Sequence, residues 1–197
     1  MLCGIDEAGR GPLAGPVCAA SVILPDNFPV WDLNDSKKLS KTSREKLGAI
    51  IHSEAKACGV GWASPWEIDA INIHNATLLA MKRAFENMLY TAGISPEHSL
   101  DAANISVIVD GLFVPNLSVS CKALVKADAQ IPEVMAASIV AKTARDRLME
   151  YYGIFYPEYG YEHHKGYPTK AHRQAILRFG FSPIQRLSFR VNARTSP

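Results

Sequence analysis

An α/β fold, a mixed sheet of five strands covered by helices, follows from three features of the sequence. Short apolar runs rich in β-branched residues come first, strand and helix patterns then alternate, and Pro and Gly punctuate the boundaries. A chain of 197 residues, 48% hydrophobic and 20% charged, fits one globular domain. At that length roughly 70% of the unfolded surface can be buried, so no staple is needed.

The elements follow in order. Residues 2–6 (LCGID) read as a first strand, and residues 17–24 (VCAASVIL) as a buried strand closed by Pro25. Residues 35–39 (DSKKL) form a polar loop. A helix is predicted from near Thr42, whose T-x-x-E spacing to Glu45 matches a capping box. Its residues Leu47, Ile50, Ile51 and Ala55 share a face, and Gly59 supplies a stop. Residues 60–63 make a short strand. Ser64, Pro65 and Glu67 open another helix, with Pro at its first position, and a longer helix covers residues 74–91 before Gly93. Residues 105–109 (ISVIV) read as an interior strand and residues 118–125 as a further one. Residues 132–151 carry a helical seam of Val134, Ala137, Ala141, Ala144 and Leu148, whose small side chains permit close packing on a sheet.

Composition narrows the class. The four cysteines, Cys3, Cys18, Cys58 and Cys121, form no C-x-x-C pair and read as reduced core thiols of a cytoplasmic protein. Asp6, Glu7 and Arg10 interrupt the apolar start, unlike a signal peptide, and no run reaches the ~20 apolar residues of a membrane helix. Charge is unevenly placed: residues 163–197 hold seven Lys or Arg, three His and no acid, against 14 basic and 19 acidic groups before them. A basic end suits a polyanion partner or simply a solvated surface, and charge alone does not choose.

Three fragments, LCGID, ISVIVD and ALVKAD, each finish a strand or its exit in an aspartate: Asp6, Asp110 and Asp128. Groups delivered by the carboxyl ends of neighbouring parallel strands converge. Glu7 joins them if the strand ends or bulges there, because successive strand residues face opposite ways. Two carboxylates ~4 Å apart repel by about 4 kcal/mol at an effective dielectric near 20. Protons or cations must relieve such a cluster. Oxygen ligands without His or Cys favour Mg²⁺ or Mn²⁺, and two such ions suit phosphoryl transfer to water. Strand-end aspartates also serve as turn and cap residues; the coincidence of three is what singles out a site. The loop that follows Asp6 has a rival explanation, since Gly9, Gly11 and Ala14 match G-x-G-x-x-A. That fingerprint needs a helix next, where Pro16 and an apolar strand stand instead, and it would set Asp6 and Glu7 against a pyrophosphate.

Together, GIDEAGRGPLAGPV (residues 4–17), DSKKLS (35–40), IVDG (108–111), KAD (126–128), AASIVAKTARD (136–146) and YGYEHHKGYPT (159–169) resemble the type 2 ribonuclease H family, in its bacterial ribonuclease HII branch. The resemblance implies an RNase H-like fold with a helical C-terminal extension: a single domain over residues 1–197, with a catalytic body to about 162 and a basic helical part from about 163. It implies that Asp6, Glu7, Asp110 and Asp128 are the catalytic, metal-binding acids, with Asp6 and Asp110 centring two Mg²⁺ or Mn²⁺ ions. It further implies an endonuclease that cuts the RNA strand of RNA–DNA hybrids and nicks 5′ of ribonucleotides in duplex DNA. The products would be 3′-hydroxyl and 5′-phosphate ends, serving ribonucleotide excision and primer removal. By the same resemblance Gly9, Arg10 and Gly11 sense the 2′-hydroxyl, the group that separates RNA from DNA. Tyr167 packs on the deoxyribose 3′ of the cut.

Ser138 and Lys142 stand four apart on one helix face and are read as phosphate contacts. Lys37 and Lys38 either touch phosphate or are solvated loop lysines. Arg173, Arg178, Arg186, Arg190 and Arg194 are expected to grip the duplex irrespective of sequence. Arg186-Leu187-Ser188-Phe189 departs from the family's Arg-Arg-Ser-Phe. Type 3 enzymes carry an extra N-terminal domain and a lysine in the glycine loop, so Arg10 favours type 2. A monomer is expected. The rivals are a non-catalytic hybrid-binding module and a nuclease that cuts all-DNA substrates.

Overall fold

A computed structural model of the chain describes residues 1–30, 33, 40–94 and 104–191. Strands β1 (Leu2–Ala8), β2 (Val17–Ile23), β3 (Ala57–Ala63), β4 (Ser106–Asp110) and β5 (Ser120–Leu124) form one sheet in the order β3-β2-β1-β4-β5. The first three are antiparallel, whereas β1 pairs parallel to β4 and β4 parallel to β5. Ile5 stands beside Val109 in that register, so Asp6 and Asp110 follow side by side.

Strand β2 is buried along its whole length because both of its faces are covered. Val17, Ala19 and Ile23 pack toward helix α2 (Pro65–Thr91), while Cys18, Ala20 and Val22 pack toward helices α1 (Lys41–Glu54) and α3 (Pro132–Phe155). That alternation is the period of two of a pleated strand. Ser64 caps α2 by accepting from Glu67 N at 3.2 Å, and Glu67 returns the bond to Ser64 N at 2.8 Å. The two helices predicted over this stretch are one span broken at Asn72, whose φ of 66° is left-handed. Its side chain accepts from Asn75 N at 3.1 Å and restarts the helix.

Several boundaries differ from the sequence expectation. Helix α1 is capped by Ser40, which has extended backbone geometry and accepts from Ser43 N at 3.2 Å, so Thr42 lies inside the first turn. Ile50 is 40% exposed, and α1 ends at Glu54, before Gly59. Gly59 and Gly61 instead belong to β3, where α2 crosses so closely that a Cβ on Gly61 would lie 2.2 Å from Ala80 O. On α3 the buried stripe passes from Ala137 and Ala141 to Arg145, Met149 and Gly153, leaving Ala144 and Leu148 half-buried. The stripe shifts because α3 outruns the sheet and packs its second half against the C-terminal elements. The loop expected at residues 35–39 lies outside the described residues.

Beyond α3 come the short helix α4 (Tyr161–His164) and helix α5 (Lys170–Phe179), gathered around Ala14, Met149, Tyr159, Tyr161, Ala175 and Ile184. The chain then returns to the loop after β1: Gly15 N donates to Ile184 O at 2.8 Å and Arg186 N to Leu13 O at 2.9 Å. No helix among the described residues is long and apolar enough to cross a membrane.

Gly61→Ala forces a methyl into the α2 backbone, where no flexible side chain can give way. We expect a loss of roughly 1–3 kcal/mol or more, read as a lowered midpoint in denaturant with an unchanged slope.

Candidate active site

Asp6, Asp110 and Asp128 each offer a carboxylate oxygen, and these atoms lie within 4.8 Å of one another. The first two arrive on the adjacent parallel strands β1 and β4. Asp128 arrives by a turn: Lys126 adopts a left-handed φ of 59° and opens a 3-10 turn over Ala127–Ala129. That turn is tied to the site directly, because Ala127 N donates to Asp110 Oδ1 at 2.8 Å.

Asp6 is 5% exposed, and its pKa is pushed up to about 8. Burial is the largest cause, and the neighbouring Glu7 and Asp110 charges add to it. The Ser138 hydroxyl and the Glu7 amide, which donates to Oδ1 at 2.7 Å, oppose the shift. Glu7 is itself raised by burial, against the lowering effect of Arg10. Strand β1 neither ends nor bulges at Glu7, which pairs in register with Ala19. Glu7 is not one of the three clustered oxygens, but its carboxyl is hydrogen-bonded to that of Asp6, with Oε1 3.4 Å from Arg10 Nη1. Sequence reasoning expected a bulge to bring Glu7 to the other acids; Glu7 reaches Asp6 with β1 in regular register.

A cleft of about 300 Å³ adjoins the acids, lined by Glu7, Ala8, Gly9, Arg10, Gly11, Ser138, Lys142 and Tyr167. Six of the expected substrate-facing residues thus share one wall-and-floor arrangement with Glu7. Gly9 has a φ of +96°, and a Cβ there would fall 1.9 Å from Arg145 Nε, so no other residue fits. Gly11 is different: a Cβ would meet Tyr167 Cε1 at an ordinary 3.6 Å. Tyr167 is 40% exposed, and its backbone is clamped by His164, whose carbonyl accepts from Tyr167 N at 2.9 Å, and by His172, whose Nδ1 donates to Tyr167 O at 3.0 Å. Burial pushes the His172 pKa down to about 4, which keeps this histidine neutral. Lys142 stands 6.0 Å from the Tyr167 ring and pairs with Asp146 at 2.7 Å. Lys37, Lys38 and Arg194 lie outside the described residues.

The basic end does not behave uniformly. Arg178 and Arg190 are exposed and Arg173 is half-buried, but Arg186 is 0% exposed and cannot grip a duplex. Its guanidinium is turned inward onto the carbonyls of Gly9, Arg10 and Gly15. Lys165 pairs with Glu150 at 3.0 Å, and exposed His163 with Glu162 at 3.1 Å. Leu187, where the family's second arginine stands, is 68% exposed, and its amide donates to Asp69 at 2.9 Å. Sequence reasoning passed over Arg145, a charged residue four positions beyond Ala141 on the buried stripe of α3. That misplaced charge was the available signal. No comparable signal marked His172 or Asp69.

A family model described as Ribonuclease HII matches residues 3–192. A ribonuclease HII of Treponema denticola is 55% identical over 195 residues, covering 97% of this chain and 98% of that one. One of Shewanella pealeana is 49% identical over 95% of this chain and 86% of the other. The crystal structure of ribonuclease H2 from Pyrococcus horikoshii superposes with a TM-score of 0.73 at 28% identity, covering 96% of this chain and 94% of that one. The five-stranded mixed sheet with its acidic cluster is therefore the RNase H-like architecture, and the molecule is a hydrolase of the nuclease class. Within that class, the chain belongs to the ribonuclease HII family.

Without divalent ions the folded protein keeps a proton on Asp6 up to about pH 8, whereas the ordinary carboxyl releases it near 3.8. The folded state then binds more protons than the unfolded one across that interval, so stability falls as pH rises through it. Asp6→Asn removes this dependence. Thermal melting in chelator should show the variant gaining on the parent progressively toward the alkaline end, and parallel curves would refute the assignment.

Proposed function

We propose that the protein is an endoribonuclease that cleaves the RNA strand of RNA–DNA hybrids and nicks duplex DNA on the 5′ side of embedded ribonucleotides, leaving 3′-hydroxyl and 5′-phosphate ends. Ribonucleotide excision and primer removal are the roles this activity would serve. The observation that carries the reading is the gathering of Asp6, Asp110 and Asp128 against a cleft bordered by the glycine loop.

The donor set fits Mg²⁺ or Mn²⁺: three carboxylate oxygens close together, no His or Cys in the cluster, and a buried Asp6 that resists ionising alone. Asp6 and Asp110 would hold two ions centrally, with Asp128 and Glu7 completing the shell. Ions so bound would supply Lewis acidity, a more acidic water and charge neutralisation at the scissile phosphate. The chain's own residues do the rest. Ser138 orients the Asp6 carboxyl, Lys142 offers positive charge across the cleft, and Arg10 is positioned to meet phosphate while restraining Glu7. The Gly9-Arg10-Gly11 loop lines the cleft and would sense the 2′-hydroxyl, and Tyr167, lining the same cleft, would pack on the sugar 3′ of the cut. Exposed Arg178 and Arg190 add grip that weakens with salt.

Residues 184–186 are bonded to the glycine loop, so the C-terminal part and the catalytic body are read as one domain, taken to act as a monomer. The four cysteines are free thiols, which suits a reducing cytoplasm.

Asp110→Asn should lower cleavage by about 10²-fold or more while hybrid binding changes little. The measurement compares single-turnover nicking of a duplex carrying one ribonucleotide with that of its all-DNA twin. Intact nicking by the variant would defeat the mechanism. Equal cutting of both duplexes by the parent would defeat the substrate assignment.

A further inference from the structure

Arg145 and Arg186 are among the largest fully buried side chains of the protein, at 1% and 0% exposure. A buried guanidinium is costly unless its donors are satisfied. Here six hydrogen bonds go to backbone carbonyls. Arg186 donates to Gly15 O at 2.8 Å, Arg10 O at 3.0 Å and Gly9 O at 2.6 Å. Arg145 donates to Pro16 O at 3.0 Å, Ala14 O at 3.2 Å and Lys165 O at 3.0 Å. Five of those acceptors belong to the loop between β1 and β2, and the sixth lies two residues before Tyr167. Burial and the charge of Arg145 lower the Arg186 pKa to about 9, a measure of how unwelcome two such cations are side by side. The fold nevertheless keeps both.

Peptide planarity says what they accomplish. All peptide bonds described are trans, and in a trans peptide the C=O and the next N–H point in opposite directions. Holding the carbonyls of Gly9 and Arg10 inward on Arg186 therefore turns the N–H groups of Arg10 and Gly11 away from that guanidinium, on the segment that lines the cleft. Arg145 does the complementary task. By bonding Ala14, Pro16 and Lys165 together it joins the glycine loop to the segment bearing Tyr167, and Leu13 N adds a bond to Gly166 O at 2.8 Å.

We propose that Arg145 and Arg186 are positioning residues for ribonucleotide recognition: two buried guanidinium groups orient the amides of the glycine loop and fix their distance from Tyr167, without touching substrate. The inference rests on the reading that this loop senses the ribonucleotide. Lysine cannot replace either residue, because a single ammonium does not span three divergent carbonyls as a planar fork does.

The test measures Arg145→Lys and Arg186→Lys on the one-ribonucleotide duplex and on its all-DNA twin. Each variant is expected to melt cooperatively and to keep KM within about threefold, since exposed basic residues are untouched. The turnover number should fall about 10²-fold, the scale of a small misplacement of binding groups. The preference for the ribonucleotide should narrow with it. Failure of the parent to prefer the ribonucleotide would remove the underlying reading. A parent that discriminates, with cooperatively folded lysine variants that discriminate and turn over equally well, would overturn the clamp alone. Should the variants not fold, nitrogen-15 spectra of Asp110→Asn decide instead. The Nε–H signals of Arg145 and Arg186 must exchange far more slowly than that of exposed Arg178, and must shift on binding the ribonucleotide duplex but not the all-DNA one. Rapid exchange, or equal response to both duplexes, would refute the proposal.

Discussion

Mutual repulsion among carboxylates is the constraint around which this molecule is arranged. Left to itself, a chain would separate Asp6, Asp110 and Asp128, because each close pair costs several kcal/mol in a partly desolvated setting. They are held within 4.8 Å of one another by the parallel pairing of β1 with β4 and by the turn at Lys126. Neither can relax without losing the core beneath it, where α2 and α3 cover opposite faces of the sheet. Asp6 carries the strain most visibly: burial first, and then the Glu7 and Asp110 charges, raise its pKa.

Positive charge is treated in the opposite manner. The cations of Arg145 and Arg186 are not brought to the acids to neutralise them; each is solvated by three backbone carbonyls. The glycine loop leaves the acid-bearing strand and passes directly over these guanidiniums, close enough that Gly9 has no room for a Cβ. Its shape thus follows from buried charge rather than from its own sequence preferences, although only glycine permits the required φ. The C-terminal segment, although basic in composition, contributes one of its arginines to the interior and bonds Ile184 and Arg186 to the loop. Composition alone would have assigned all of it to the surface.

Much of the framework was legible in advance. Strands β1, β2 and β4 and the start of α2 follow from β-branched runs and from the Ser64–Glu67 capping box, because these depend on interactions within a few residues. Asp110 was legible as a strand-end acid for the same reason, whereas Asp6, read as the last residue of its strand, lies two residues inside β1. Errors fell where neighbours distant in sequence decide. Gly59 looked like a helix stop and is a crossing point for α2; Arg186 looked like a surface cation and is fully buried. Glu7 shows the limit most plainly. Adjacent acids were readable, but that Glu7 meets Asp6 without any bulge in β1 is visible only with the pairing to β2 in place.

The order of strands and helices, the residues able to bind hard cations and the kinship to ribonuclease HII were determined by the sequence by itself, since local propensity and motif identity survive without coordinates. The tertiary structure alone decided which acids meet, which arginines face inward and how the glycine loop is aimed. Those outcomes depend on contacts between segments more than a hundred residues apart, and a buried charge reveals its role only once its hydrogen-bond partners are in place.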